Sequence, residues 1–205
     1  SSDLATVTAA AVRPTDVVLD VCCGTGDMLR AFAAARPAPA RLIGVDFAAG
    51  MLAAGTFETG GVPVQVLRAD ALRLPLADAT VDVVSCAFGV RNFADFQAGL
   101  NELGRVLRPG GRAVILEFAQ PSSALLRWAY TLYCETVLPW LATVVSRDRT
   151  GAYRYLPQSI RTFETAATMV RRLEDAGLTD VRLRRMNFGG VALYRAIKPV
   201  TLPRR

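Results

Sequence analysis

Five short runs of branched apolar residues, at 17–22, 41–46, 62–68, 81–87 and 112–118, recur along the chain with helical spacing between most of them. Runs this short and continuous read as strands covered on both faces, not as amphipathic helices. Helices are predicted over 26–35, 48–57 and 94–107. Pro37 ends the first of these stretches, and Arg108-Pro109-Gly110-Gly111 ends the third in a turn that feeds the fifth strand. A loop holding Pro75 joins the third and fourth strands. Strand–helix–strand alternation predicts a mainly parallel, doubly wound α/β sheet. Further on lies a helical stretch, 122–145, rich in aromatics (Trp128, Tyr130, Tyr133, Trp140) and interrupted by Pro139. An irregular segment, 146–160, and a helix over 162–176 closed by Gly177 follow. Strands over 181–186 and 191–197 are joined by Asn187-Phe188-Gly189-Gly190, a turn too short for a crossover, so they form an antiparallel hairpin at the sheet edge. The expected fold is a Rossmann-like, seven-stranded, mostly parallel sheet with a C-terminal antiparallel hairpin, in one domain over 1–205.

Composition narrows the chemistry. With 205 residues, 52% hydrophobic and 20% charged, the chain can bury one sizeable core. Its longest lightly charged stretch, 125–145, carries Arg127 and Glu135, and 1–11 lacks a basic flank with an apolar run, so a cytoplasmic protein is expected. There is no histidine, which excludes a histidine base, a Ser-His-Asp triad and histidine metal ligands. The four cysteines, Cys22, Cys23, Cys86 and Cys134, form no CxxC pair, and neither a disulfide framework nor a metal site is expected. Residues 146–205 hold 13 basic and 5 acidic side chains, while the rest of the chain is slightly acidic. Such a cluster suits a solvated face or an anionic surface.

The run Val18-Leu19-Asp20-Val21-Cys22-Cys23-Gly24-Thr25-Gly26-Asp27 places a glycine-rich turn between the first strand and its helix, where backbone can approach a ligand closely. A dinucleotide fingerprint would need glycine at position 29, which is Leu29. Asp46 ends the second strand about twenty residues on, where a carboxylate can accept ribose hydroxyls. Asp70 follows the third strand and can accept from an adenine amino group, with the Ala71 N–H beside it. Each acid alone also reads as a helix cap or loop end; together, at successive strand ends, they favour a nucleoside.

This constellation resembles the class I S-adenosylmethionine methyltransferases, whose sheet also ends in an antiparallel hairpin. Longer strings narrow the resemblance: Phe88-Gly89-Val90-Arg91-Asn92-Phe93-Ala94-Asp95; Val106-Leu107-Arg108-Pro109-Gly110-Gly111 followed by Leu116-Glu117-Phe118; Tyr153-Arg154-Tyr155-Leu156-Pro157-Gln158-Ser159-Ile160; and Phe188-Gly189-Gly190-Val191-Ala192-Leu193-Tyr194. In this order, over 16–199, they are similar to the quinone-biosynthesis C-methyltransferases, which methylate demethylmenaquinol or a polyprenyl methoxy-benzoquinol. The Cys-Cys-Gly-Thr turn leans toward the menaquinone branch.

The resemblance implies S-adenosyl-L-methionine as cofactor, contacted by Cys22, Gly24, Thr25, Gly26, Asp46, Met51, Asp70, Ala71 and Ala87. It implies a prenylated quinol near Arg91, Asn92 and Glu117, with Tyr153, Tyr155 and Ser159 as further substrate contacts and 122–161 as a helical insertion over the substrate. Arg91 is the leading catalytic candidate, since a guanidinium beside the quinol oxygen stabilises the phenolate that activates the ring carbon; a salt bridge at the strand end is the competing reading. Water held by Arg91 and Asn92, or Glu117 directly, takes the proton. Two departures stand out: Cys22 replaces the usual first glycine, and Tyr194 stands where relatives often have histidine. Relatives also carry a long helical N-terminal segment with a Tyr-Asp pair that helps cover the cofactor, whereas about sixteen residues precede the first strand here, so weakened binding or no turnover is expected.

Leu125, Leu126, Trp128, Leu132, Tyr133 and Trp140 read as core packing or as a channel for the prenyl tail. With Arg161, Arg171, Arg172, Arg182, Arg184 and Arg185, the chain is expected to make peripheral contact with an anionic membrane. A homodimer stays open. Nucleic acid is not expected as a partner, since strand four ends Ser85-Cys86-Ala87-Phe88-Gly89 and not in an Asn/Asp-Pro-Pro-aromatic motif, and a Pro-Cys nucleophile is missing. Methylation of another small molecule, or S-adenosylmethionine binding without turnover, remain as alternatives.

Overall fold

The structure, a computed structural model, describes residues 2–119 and 164–200. The aromatic stretch 122–145, the irregular segment 146–160 and, with it, Tyr153, Tyr155 and Ser159 lie outside the described residues. The elements run α1 (Ser2–Ala10), β1 (Val17–Val21), α2 (Asp27–Ala33), β2 (Arg41–Asp46), α3 (Ala49–Ala53), β3 (Val64–Arg68), β4 (Val81–Ala87), a 3-10 turn (Val90–Asn92), α4 (Phe96–Val106), β5 (Leu107–Phe118), α5 (Ala166–Asp175), β6 (Thr179–Met186), a 3-10 turn (Asn187–Gly189) and β7 (Val191–Ile197).

Seven strands form one sheet in the order β3-β2-β1-β4-β5-β7-β6. The first five pair in parallel, and β7 runs antiparallel between β5 and β6. β1 and β4 are buried along nearly their whole length, because helices cover both faces, whereas β3, at the edge of the sheet, has no fully buried residue. One face packs Leu100, Leu103 and Val106 of α4 and Met169 and Leu173 of α5 against Leu19, Val21, Ile43 and Ile115. The other packs Ala10 of α1 and Met28, Leu29 and Phe32 of α2 against Val18, Leu42, Val83 and Val114. Each fully buried large side chain of this kind contributes roughly 1.5–3 kcal/mol.

Three local outcomes differ from expectation. Residues 2–10 form α1, which the sequence reading did not foresee. The second helix of the series spans Ala49–Ala53 alone, because Gly55 turns the chain and the Phe57 ring fills the space beside it, 2.4 Å from where a Cβ would stand. The Arg108–Gly111 turn is a bulge inside a longer β5: Val81 pairs with Leu107 and Val83 with Arg112. The bulge stays in the ladder because Gly110 N donates to Lys198 O and Lys198 N donates to Gly111 O.

Candidate functional site

The strand order reverses between β1 and β4, where loops leaving the two carboxyl ends turn to opposite sides and open a crevice. A cavity of about 590 Å³ lies there, lined by residues that follow β1, β2, β3 and β4. Cys22, Gly24, Asp46, Met51, Asp70, Ala71, Ala87 and Asn92 all line it. Thr25, Gly26, Arg91 and Glu117 do not. Lining residues that the sequence reading missed are mostly apolar: Phe47, Ala48, Phe88, Gly89 and Phe93 among them. Their signal was adjacency to a strand end, which a search for acids and glycines passes over.

The turn after β1 bends through left-handed backbone at Cys22 (φ 58), Gly24 (φ 52) and Gly26 (φ 88). At Gly24 an added Cβ would stand 3.3 Å from Met51 Cε, on the cavity wall. Gly26 is required for another reason, since a Cβ there would meet the Phe57 ring at 2.8 Å and Thr56 O at 2.9 Å. Thr25 is likewise turned to structural work: its hydroxyl donates to Asp27 Oδ2 at 2.9 Å, and its carbonyl accepts from Thr56 N and Arg30 Nη1. Cys22 occupies a position that glycine fits more easily, and the consequence falls on Gly89, where a Cβ would meet Cys22 Cβ at 2.5 Å and Cys86 Sγ at 2.9 Å.

Asp46 fixes the turn from below. Its Oδ2 accepts from Gly24 N and its Oδ1 from Ala48 N, both at 2.8 Å. Each oxygen keeps a lone pair, so the carboxylate can still accept two further donors from the cavity. Asp70 accepts from Leu72 N through Oδ1 at 2.9 Å, with no protein donor to Oδ2 among the described residues. Two anionic acceptors on one apolar-walled crevice suit a ligand with vicinal hydroxyls and an exocyclic amine.

The loop after β4 is tied to the end of β5 by a buried ion pair. Arg91 Nη1 donates to Glu117 Oε1 at 2.8 Å and also to Phe88 O. Glu117 is fully buried and accepts in addition from Phe118 N at 2.8 Å and Arg91 N at 3.3 Å. Burial raises the Glu117 carboxyl above its ordinary range, against the lowering pull of Arg91. The guanidinium lies 5.1 Å from the centre of the Phe118 ring. Its Nε is buried and has no hydrogen-bond partner among the described residues. The geometry thus contains the salt bridge weighed against a catalytic role, with Arg91 set behind the cavity wall and not on it.

Two buried groups were not singled out by the sequence. Asp20, in the middle of β1, is 1% exposed, and neither carboxylate oxygen has a hydrogen-bond partner among the described residues. Burial pushes its carboxyl up to about 7; Ser85, its register partner on β4, eases the shift, though the Ser85 hydroxyl stops short of hydrogen-bond geometry. Cys23 is pushed up to about 12 by burial and by Asp20 and Asp46, so it stays a thiol. Tyr194, buried on β7, is likewise pushed up to about 12 by burial and stays a phenol at neutral pH.

A seven-stranded sheet with a single reversed strand, opening at its switch point onto a glycine turn and two strand-end acids, has the architecture of a class I methyltransferase. A SAM dependent methyltransferase from Aquifex aeolicus shares the fold, with a TM-score of 0.67 at 19% identity over 96% of this chain and 89% of that one. The ubiE/COQ5 methyltransferase family model matches residues 3–198, and the chain belongs to that family. Demethylmenaquinone methyltransferase of Mycolicibacterium gilvum is 42% identical, the match covering 95% of this chain and 82% of the relative. Demethylmenaquinone methyltransferase of Thermus thermophilus is 41% identical, covering 89% of this chain and 82% of the relative. The resemblance carried by the motif strings is borne out at the level of family.

Proposed function

We propose that the chain transfers a methyl group from S-adenosylmethionine to a ring carbon of demethylmenaquinol. The observation that carries this reading is the crevice at the β1/β4 switch point with Asp46 and Asp70 on its wall, in a chain whose relatives bear the name demethylmenaquinone methyltransferase. The residues present fit S-adenosylmethionine: Asp46 retains acceptors for ribose hydroxyls, Asp70 and the Ala71 N–H face an adenine edge, and Phe47 and Met51 offer apolar cover. Cys22, Gly24 and Ala87, which line the same cavity, would hold its amino-acid portion. When bound, S-adenosylmethionine supplies an electrophilic methyl on a sulfonium sulfur.

The chain's own residues act on the quinol. A phenolic hydroxyl ionises near pH ~10 in water, and the adjacent ring carbon is a good nucleophile when that oxygen is close to ionised. Asn92, on the cavity wall, is the donor placed to meet the oxygen, and Arg91, next to it in the chain and paired with Glu117, adds a fixed positive charge behind it. Glu117 keeps the guanidinium in place through a buried pair, which assigns it the anchor of Arg91 and leaves proton removal to water beside Asn92. Tyr153, Tyr155 and Ser159, with the 122–161 insertion, complete the substrate side in this reading.

The test is a mass assay with S-adenosylmethionine and a short-chain demethylmenaquinol, reduced in one sample and oxidised in the other. One methyl gained by the reduced form alone is expected; transfer to neither, with cofactor binding intact, overturns the substrate. Arg91→Gln removes the fixed positive charge while an amide remains to donate to Glu117. It is expected to lower kcat by roughly 10²-fold or more with the S-adenosylmethionine Kd little changed. Equal losses in both would assign Arg91 a purely structural role.

A further inference from the structure

The antiparallel course of β7 brings the β6–β7 turn to the same end of the sheet as the crevice. Val191, which opens β7, pairs with Phe118, which closes β5, so the turn Asn187–Gly189 projects beyond the carboxyl ends of the parallel strands. Phe188 at its centre is 91% exposed. Its backbone is also left-handed (φ 57, ψ 23), a region that strains a bulky residue and that glycine enters freely. An apolar ring that the described residues leave in open water, on a backbone that disfavours it, points to a contact beyond them.

Beside this ring runs a cationic edge. Strand β6 is the free edge of the sheet and carries Arg182, Arg184 and Arg185 against a single acid, Asp180. Asp180 is engaged by Arg182 at 3.1 Å and by Arg195 of β7 at 3.9 Å. Arg184 has no ion pair among the described residues. Arginines on an edge strand also deter edge-to-edge pairing with another chain, which accounts for the charges but not for Phe188. An aromatic anchor flanked by guanidinium groups matches the two layers of a lipid surface, acyl boundary and anionic headgroups.

We propose that the β6–β7 end docks on an anionic membrane, Phe188 entering the interface and Arg184 and its neighbours meeting the headgroups, with the crevice facing the lipid that stores the quinol. The choice of lipid over nucleic acid as the anionic partner rests on the quinol-methyltransferase reading, since a prenylated substrate resides in the bilayer. A nucleic-acid surface would also place further stacking aromatics along the basic strand, and β6 has none.

Purified protein is sedimented with phosphatidylcholine vesicles, with and without phosphatidylglycerol, over a salt series. Binding that requires phosphatidylglycerol and fades with salt is expected. The double variant Arg184→Glu, Phe188→Ser is expected to weaken it by about tenfold or more; circular dichroism confirms that the variant is folded. In parallel, methyl transfer is measured with a short-chain quinol in solution and a long-chain quinol in vesicles. The variant is expected to keep the first and lose much of the second. Wild-type protein that ignores phosphatidylglycerol, a folded variant that sediments as well as wild type, or preference for RNA over vesicles would overturn the docking surface. Failure of transfer to both quinols in the wild type, with lipid binding intact, would instead strike the substrate reading.

Discussion

Asp20 is a single carboxyl whose burial sets a pH dependence for the whole fold. The folded protein holds its proton up to about pH 7, whereas the unfolded chain releases it near the ordinary value of 3.8. Between those values the folded state binds more protons, so this group's contribution makes stability fall as pH rises through the window; below it both states are protonated and the penalty vanishes. Asp20→Asn removes the ionisable group, and at pH 8 the variant is expected to be more stable than wild type by up to ~4 kcal/mol. Urea unfolding at pH 5 and pH 8 checks this, and a constant difference between the two proteins at both pH values would refute it. The acids that the sequence did reveal, Asp46 and Asp70, were legible because each stands at the end of an apolar run. Asp20 sits within one, and whether the space around it holds a partner depends on β4, a strand more than sixty residues away. Arg91 and Glu117 were legible as individuals; their pairing is a product of the β4–β5 register and could not be read from either string alone.

At the scale of elements, β-strands were the most readable because burial on both faces leaves a continuous apolar signature, and β2, β4 and β7 begin and end where the sequence placed them. Helix α4 is marked by Asp95, whose carboxylate accepts from Ala98 N at 2.9 Å as an N-cap. Helix α1 carried no comparable stripe: its buried positions are Thr6 and Ala10, small residues that a hydrophobic pattern does not register. Close packing between elements is equally hidden. Gly44 of β2 faces α2 and the glycine turn, and an added Cβ there would stand 2.7 Å from Leu29 Cδ1 and 3.0 Å from Cys23 Sγ. Gly44→Ala therefore pushes α2 away from the sheet and is expected to cost about 1–3 kcal/mol. A midpoint in thermal unfolding equal to that of wild type would show that Leu29 repacks freely. Because Cys23 belongs to the turn above the crevice, cofactor affinity should fall together with stability.

The molecule as a whole is closed by arginines that reach from β5 and β7 to the helix at the start of the described chain. Arg112 of β5 is 5% exposed; its Nε donates to Ala10 O at 2.7 Å and its Nη2 to Asp16, whose Oδ2 also accepts from Arg13 N. Arg195 of β7 donates through Nε to Ala9 O at 3.0 Å. Two cations thus hold the last carbonyls of α1, the end of a helix where positive charge is favoured. This buried pair binds segments about a hundred positions apart, and its worth lies in mutual compensation, since either charge left alone in the interior is costly. Arg112→Met strands Asp16 and frees the end of α1, and is expected to destabilise by roughly 3–5 kcal/mol. Adding Asp16→Asn removes the stranded charge and should return a good part of that loss, giving a double-mutant cycle with a large coupling term. Chemical denaturation of the four proteins measures it. Additive losses would mean that α1 is held by its apolar packing against β5, β4 and α2, and that the pair merely fills space between helix and sheet.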